Sequence, residues 1–263
     1  MSPPRPPRLL PMLAGGNGIP PNPAAYLLEP KLDGVRVMAY VEPQGVMLTN
    51  RKGGDITSHY PEVAGLCEAL APHAAVLDGE VVTFNEQGQS SFQRLQRRMH
   101  VLQPTARLLT ETPVVFVAFD VLWLDGELLT ECPQTERRRI LDSLAVKGRA
   151  WQTAPVLDAT PEELMEACRQ LGLEGFMVYP NSCGGHRPRG HRVGQWTIRV
   201  LTVGSAYVGR SCRSSSWTSP RRGDRVRKPM WAPGRRLARR PCDSASATGG
   251  PSSSARTAAM TTG

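Results

Sequence analysis

The stretch Glu29-Pro30-Lys31-Leu32-Asp33-Gly34-Val35-Arg36 sets one lysine between two apolar runs, Ala24-Ala25-Tyr26-Leu27-Leu28 before it and Val35-Arg36-Val37-Met38-Ala39-Tyr40-Val41 after it. Runs of this kind read as strands, and the Asp-Gly between them reads as a tight hairpin turn. Lys31 then stands at a strand end close to the bend, with carboxylates at Glu29 and Asp33 and a guanidinium at Arg36. A lysine held among strands loses water, which lowers the pKa of an amine and is one route to a nucleophile. At the ordinary pKa of about 10.4, only about one lysine in a thousand is a free amine near neutral pH. On the octamer alone, a hairpin with a surface lysine reads equally well.

The surrounding chain has 263 residues, enough for one large domain or two smaller ones. No apolar run approaches twenty residues, and the Pro/Arg-rich start lacks the apolar centre of a secretory signal, so a cytoplasmic protein that does not enter a membrane is expected. The cysteines at 67, 132, 168, 183, 212 and 242 form no Cys-x-x-Cys pair, which fits a reducing compartment and argues against a zinc site. The net charge of +9 is a property of the tail: residues 201–263 hold 12 Lys+Arg against Asp224 and Asp243, whereas residues 1–200 hold 20 against 21 acids. With 4 lysines among 32 basic residues, the arginine bias suggests GC-rich coding more than a selected surface.

Taken in order, residues 1–23 form a Pro/Gly-rich lead-in with little regular structure. A turn at Pro43-Gln44-Gly45 leads into a strand at 46–49, and then Asn50-Arg51-Lys52-Gly53-Gly54-Asp55 makes a polar bend whose two cations suit a phosphate, although a solvated turn explains it as well. A helix is expected over Tyr60–Leu70, followed by a strand, an Asp-Gly bend and a strand over Val76–Phe84. Glu80, an acid at the mouth of an apolar strand, needs a partner such as a sugar hydroxyl, a cation or a metal, or else faces water. Ser91–Met99 reads as a short basic helix, Pro113–Gly126 as a core strand ended by Asp125-Gly126, and Pro133–Leu144 as a helix carrying Arg137, Arg138 and Arg139 on or near its outer surface. Thr160-Pro161-Glu162-Glu163 is a capping box opening a helix to about Leu171, which delivers Glu174 to the mouth of the strand Gly175–Tyr179.

These pieces together resemble the ATP-dependent DNA ligases, and the Phe92-Gln93-Arg94-Leu95-Gln96-Arg97 phrase is particularly like bacterial end-joining repair ligases. Lys31-Leu32-Asp33-Gly34-Val35-Arg36 matches the Lys-x-Asp-Gly-x-Arg signature, with Glu29 two residues ahead of the lysine. Arg51, Glu80 in Leu-Asp-Gly-Glu-Val, Phe119 in Phe-Asp-x-Leu-x-Leu-Asp-Gly and Glu174 in Glu-Gly-x-x follow in family order. The resemblance covers roughly residues 9–200. It implies an α+β nucleotidyltransferase (adenylation) domain over residues 24–203, with two largely antiparallel sheets flanked by helices and ATP between them. It further implies that Lys31 takes AMP from ATP as a phosphoramide, that AMP passes to a DNA 5′-phosphate, and that a 3′-hydroxyl displaces it. In that scheme Arg36 and Arg51 hold phosphates, Glu80 the ribose, Phe119 (with Phe116 as second choice) the adenine, and Glu174 with Glu80 the Mg2+ or Mn2+; Glu29 and Arg199 complete the nucleotide-binding set. The expected partners are DNA with nicks or broken ends and end-joining repair proteins, with the chain acting as a monomer.

The pattern breaks in two places. The fourth motif of repair ligases continues to Ala-Lys, where this chain has Val178-Tyr179. The last motif, Trp-x-Lys-x-Lys, falls on Trp196-Thr197-Ile198-Arg199-Val200, so its first lysine is missing, and only a one-residue gap puts Arg199 at the second. Residues 204–263 are a basic low-complexity tail expected to be disordered, where the family has an OB-fold domain. A shift of reading frame near 198–210 would produce such a tail. A catalytically impaired remnant that only binds nucleotide or DNA is therefore the competing expectation, and an RNA ligase or capping-type enzyme is a third.

Overall fold

The computed structural model describes residues 5–12, 16–17, 25–181 and 199–202. The strands are β1 Gly16–Asn17, β2 Tyr26–Pro30, β3 Val35–Glu42, β4 Gly45–Asn50, β5 Ala75–Val82, β6 Val115–Leu124, β7 Glu127–Leu128, β8 Trp151–Thr153, β9 Gly175–Pro180 and β10 Arg199–Thr202. The α-helices are α1 Leu66–Leu70, α2 Phe92–Leu95, α3 Ala106–Glu111, α4 Gln134–Ser143 and α5 Pro161–Leu171. One sheet runs β4-β3-β5-β6-β7 with β8 beside β6, and the other runs β1-β10-β9-β2. Pairing is antiparallel except at β6–β8 and β1–β10. This is the α+β architecture of two largely antiparallel sheets with helices that was expected.

Alternation along β3 separates the two faces of the larger sheet. Val37, Ala39 and Val41 join the main core with Leu66, Leu70, Phe116 and Leu141, under α1 and α4. Met38 and Tyr40 face the other way, where Val76, Leu122, Trp123 and Leu9 of the N-terminal segment cover them. Leu9 N–H donates to the Tyr40 hydroxyl, which donates in turn to Leu9 O. Residues 5–12 thus pack on the domain without regular structure, while Gly16–Asn17 adds a short strand inside the expected lead-in. The smaller sheet packs Leu28, Phe176 and Val178 against Leu164, Met165 and Cys168 of α5, whose capping box at Thr160/Glu163 forms as expected.

Several local expectations are corrected. Asp33-Gly34 is not a hairpin turn: β2 pairs with β9 and β3 with β4 and β5, so the chain crosses from one sheet to the other at Lys31–Gly34. Asp78-Gly79 does not bend the chain either, because β5 runs through both residues with register shifts against β6. Of the three Asp-Gly pairs, Asp125-Gly126 alone, with φ of 49° and 102°, makes a two-residue turn, between β6 and β7. The helix expected over 60–70 is a 3-10 turn at Pro61–Gly65 followed by α1, and the one over 91–99 is four residues long.

The largest correction concerns α4. Arg137 and Arg138 are buried, and only Arg139 of the three lies outward, paired with Glu136. Arg137 grips Asp120 of β6 with Nε and Nη2, both at 2.8 Å, and Arg138 reaches Glu29 of β2 at 2.7 Å. Acids in apolar strands need such partners, and removing one side of a buried pair costs about 3–5 kcal/mol.

Gly79 shows how tightly β5 lies on β6: a Cβ there would stand 2.5 Å from the Phe116 ring and 2.6 Å from Val117 O. Gly79→Ala is expected to lower the unfolding free energy by about 1–3 kcal/mol, read from the urea midpoint at unchanged m-value.

Candidate active site

Lys31 follows the last residue of β2, and its position is set by backbone pairing. Pro30 lies opposite Phe176, and Lys31 N–H donates to Gly175 O at 3.1 Å. That register brings Glu174, the residue before β9, to Lys31, and its Oε2 accepts from Nζ. The pair is open to solvent, with the lysine side chain 28% and the glutamate 50% exposed.

The turn of chain after Lys31 is pinned from two sides. Asp33 N–H donates to Ser90 Oγ at 2.9 Å, and the Asp33 carboxylate accepts from Phe92 N–H at 2.9 Å. The Phe92–Arg97 phrase therefore serves first to anchor the lysine loop. Gly34 lies against β5 so closely that a Cβ would meet Val81 O, with Val82 Cγ1 at 2.7 Å and Glu80 Cγ at 2.9 Å.

Beyond Gly34 the register sets Arg36 opposite Glu80. Arg36 donates from Nε and Nη2 to Asp78 at 2.6 and 2.8 Å, and its guanidinium lies 4.4 Å from the Phe119 ring centroid. Phe119 in turn lies 6.5 Å, centroid to centroid, from Tyr179 of β9. Burial pushes the Glu80 carboxyl up to about 7, against the pull of Arg36 and Lys31. Burial likewise pushes Glu29 up to about 8, with Arg138 opposing it.

Lys31, Arg36, Glu80, Phe119 and Glu174 therefore gather where the chain crosses between the sheets. Phe116 lies on the opposite face of β6, fully buried in the main core. Glu29 is buried with its carboxylate on Arg138 rather than beside Lys31. Arg51 is exposed just past Asn50, which pairs with Val37, so it leaves the sheet at the Arg36 end. Arg199 is placed by its backbone, opposite Val178 in β9 and Gly16 in β1. Trp196, Ile198 and the tail 204–263, with the disorder and frame shift expected there, lie outside the described residues.

A family model for the ATP dependent DNA ligase domain matches residues 19–196. The chain belongs to the ATP-dependent DNA ligase family. It is 35% identical over 218 residues to the multifunctional non-homologous end joining protein LigD of Mycolicibacterium smegmatis, covering 80% of this chain and 27% of the relative. It is 34% identical over 184 residues to DNA ligase C of Mycobacterium tuberculosis, covering 66% of this chain and 50% of that protein. A solved mycobacterial DNA ligase D, complexed with ATP and MES, superposes with a TM-score of 0.61 at 30% identity, over 73% of this chain and 60% of that one. The chain thus spans about a quarter of the end-joining relative.

Three residues of this ligase-family site escaped sequence reasoning. Asp78 holds Arg36, Tyr179 backs Phe119, and Arg138 reaches the lysine strand through Glu29. A signal existed: Asp78 and Asp120, like Glu80, are acids inside apolar runs and call for cationic partners.

The raised Glu80 pKa fixes the sign of a pH effect. The folded state keeps this proton up to about 7, whereas the unfolded chain releases it near the ordinary carboxylate value. Stability from this group therefore falls as pH rises between those values and is flat above. Glu80→Gln is expected to remove that slope, gaining up to about 2 kcal/mol on wild type between pH 5 and 7.5, as measured by urea unfolding across the range.

Proposed function

We propose that this chain is the adenylation domain of an ATP-dependent DNA ligase, in which Lys31 becomes covalently bonded to AMP before the strand break is sealed. The observation that carries the reading is Lys31 at the crossover between the sheets, in contact with Glu174 and flanked by Glu80, Arg36 and Phe119. The Lys31 amine with Glu174, Glu80 and the Arg36 guanidinium around it suits the sugar and phosphates of a nucleotide, while Phe119, expected under the adenine, is buried beneath Arg36 and beside Tyr179. The mycobacterial neighbour's own complex with ATP supports the choice of nucleotide.

For transfer, the Lys31 nitrogen must be short of one proton and must leave Glu174. It then forms a P–N bond to the α-phosphorus as the bond to the pyrophosphate oxygen breaks. Arg36, fixed by Asp78, orients rather than moves. Arg51 brings a cation to the same end of the sheet, where a phosphate can be held. Glu80 and Glu174 are the carboxylates for Mg2+ or Mn2+, and two carboxylates completed by phosphate and water suit such a cation. Among the described residues no cluster of three acidic, His or Cys ligands exists. When bound, that ion would offset charge at the phosphates. DNA with a nick or broken end is the proposed acceptor, and the cytoplasm the proposed location.

Incubation with α-labelled ATP and magnesium is expected to leave an acid-labile label on the protein that Lys31→Ala abolishes. Glu174→Ala is expected to slow labelling by about 100-fold or more. No label on wild type would mean that the chain is a non-catalytic member of its family, the reading favoured by Ile198 at the first lysine place of the last motif and Tyr179 at that of the fourth.

A further inference from the structure

Among the described residues β2, which ends just before Lys31, is an edge strand of its sheet, paired with β9. The other side is secured by two contacts. Leu157 N–H donates to Leu28 O at 2.8 Å, and Arg138 donates from Nη1 to Glu29 Oε1 at 2.7 Å. Arg138 uses its whole fork: Nη2 donates to Ala154 O at 2.7 Å and Nε to Asp142 at 3.0 Å. Ala154 N–H donates to Ala118 O of β6 at 2.7 Å. One side chain therefore ties the edge strand to α4 and, through Ala154, to the larger sheet. Glu29 is 2% exposed and Arg138 8%, so water does not compete for the pair.

Glu29 and Lys31 are two residues apart, and residues so spaced along a strand project to the same face, at about 3.3 Å of rise per residue. The grip on Glu29 thus adds a side-chain restraint on β2 to its backbone pairing with β9. Without it, an edge strand bonded on one side can shift, and the Lys31 amine shifts with it. We infer that Arg138 is a positioning residue for Lys31, acting through Glu29 without touching the reacting atoms. The Glu29 carboxylate, expected at the nucleotide, accepts from Arg138 in this structure. The inference rests on Lys31 being the nucleophile of the proposed reaction.

Two readouts separate the inference from that reaction. The first needs no nucleotide: wild type and variants are briefly treated with a water-soluble acylating ester, and the yield at Lys31 relative to Lys52, on its exposed bend, is measured by peptide mass spectrometry. The second is the rate constant of lysyl-AMP formation at saturating ATP, with the ATP concentration giving half that rate. In Arg138→Met, acylation of Lys31 is expected to rise at least about threefold and the rate constant to fall at least about tenfold, since small misplacements of a reacting group are costly. The half-saturating ATP concentration is expected to stay within about threefold, because uniform binding is untouched. Arg138→Lys should recover part of both effects, and Arg139→Met should change neither. Should Arg138→Met not fold, Glu29→Met, which keeps bulk and removes the acceptor for Arg138, is expected to move both readouts the same way. Unchanged Lys31 acylation in the folded variants, or a loss confined to half-saturation, overturns the inference. Altered acylation with no labelling of wild type by ATP upholds it and overturns the proposed reaction instead.

Discussion

The structure depends on one passage of chain between two sheets. Lys31 to Gly34 leave β2, which belongs with β9, and enter β3, which belongs with β4 and β5. Gly34 fits only because it has no side chain, since a Cβ would strike Val81 O and Val82. The crossover is then held at Asp33 by Ser90 and by the N–H of Phe92. A signature that reads as a chemical motif is therefore also a packing motif. Asp33 anchors, Gly34 yields space, and Arg36 stacks on Phe119, so that Lys31 is the member left open to solvent and to Glu174.

Beneath that passage lies a layer of paired charges, Arg36 with Asp78, Arg137 with Asp120 and Arg138 with Glu29. Pairs of this kind add little net stability over well-packed apolar groups, yet leaving one partner alone is costly. Their effect is to admit one arrangement of β2, β5, β6 and α4. Any slide of one element past another would separate buried charges, whereas a layer of leucines would tolerate small shifts. Such discrimination suits a site built at a seam between two sheets, where nothing in the sheet hydrogen bonds of either one fixes the other.

Much of this was legible in sequence, and the failures share a cause. The strands of β3, β4 and β6, the capped helix α5 and the acids at 80 and 174 follow from local patterns that operate within a few residues. The three Asp-Gly pairs do not separate locally: Asp125-Gly126 turns, Asp78-Gly79 runs straight, and Asp33-Gly34 crosses sheets. What decides among them is distant, Phe116 packed where Gly79 lacks a Cβ and Ser90 waiting at Asp33. Arg137 and Arg138 misled for the same reason, since a run of arginines on a short helix looks solvated until Asp120 and Glu29, 17 and 109 residues away, are seen to face it.

Charge accounting around Lys31 gives the departures from the family pattern their meaning. Lys31 is matched by Glu174 and Arg36 by Asp78, and burial pushes the Glu80 carboxyl up to about 7. The cations of the crossover, Lys31 and Arg36, are thus each paired with a carboxylate. Where the family's fourth motif supplies a lysine, Tyr179 lies buried beside Phe119 and adds aromatic surface without charge. Outside these pairs, Arg51 and Lys52 stand exposed at the Arg36 end of the sheet. Solvent and salt screen such exposed charges more than buried ones. In the proposed reading, the basic bend would therefore contribute most to holding phosphates at low ionic strength.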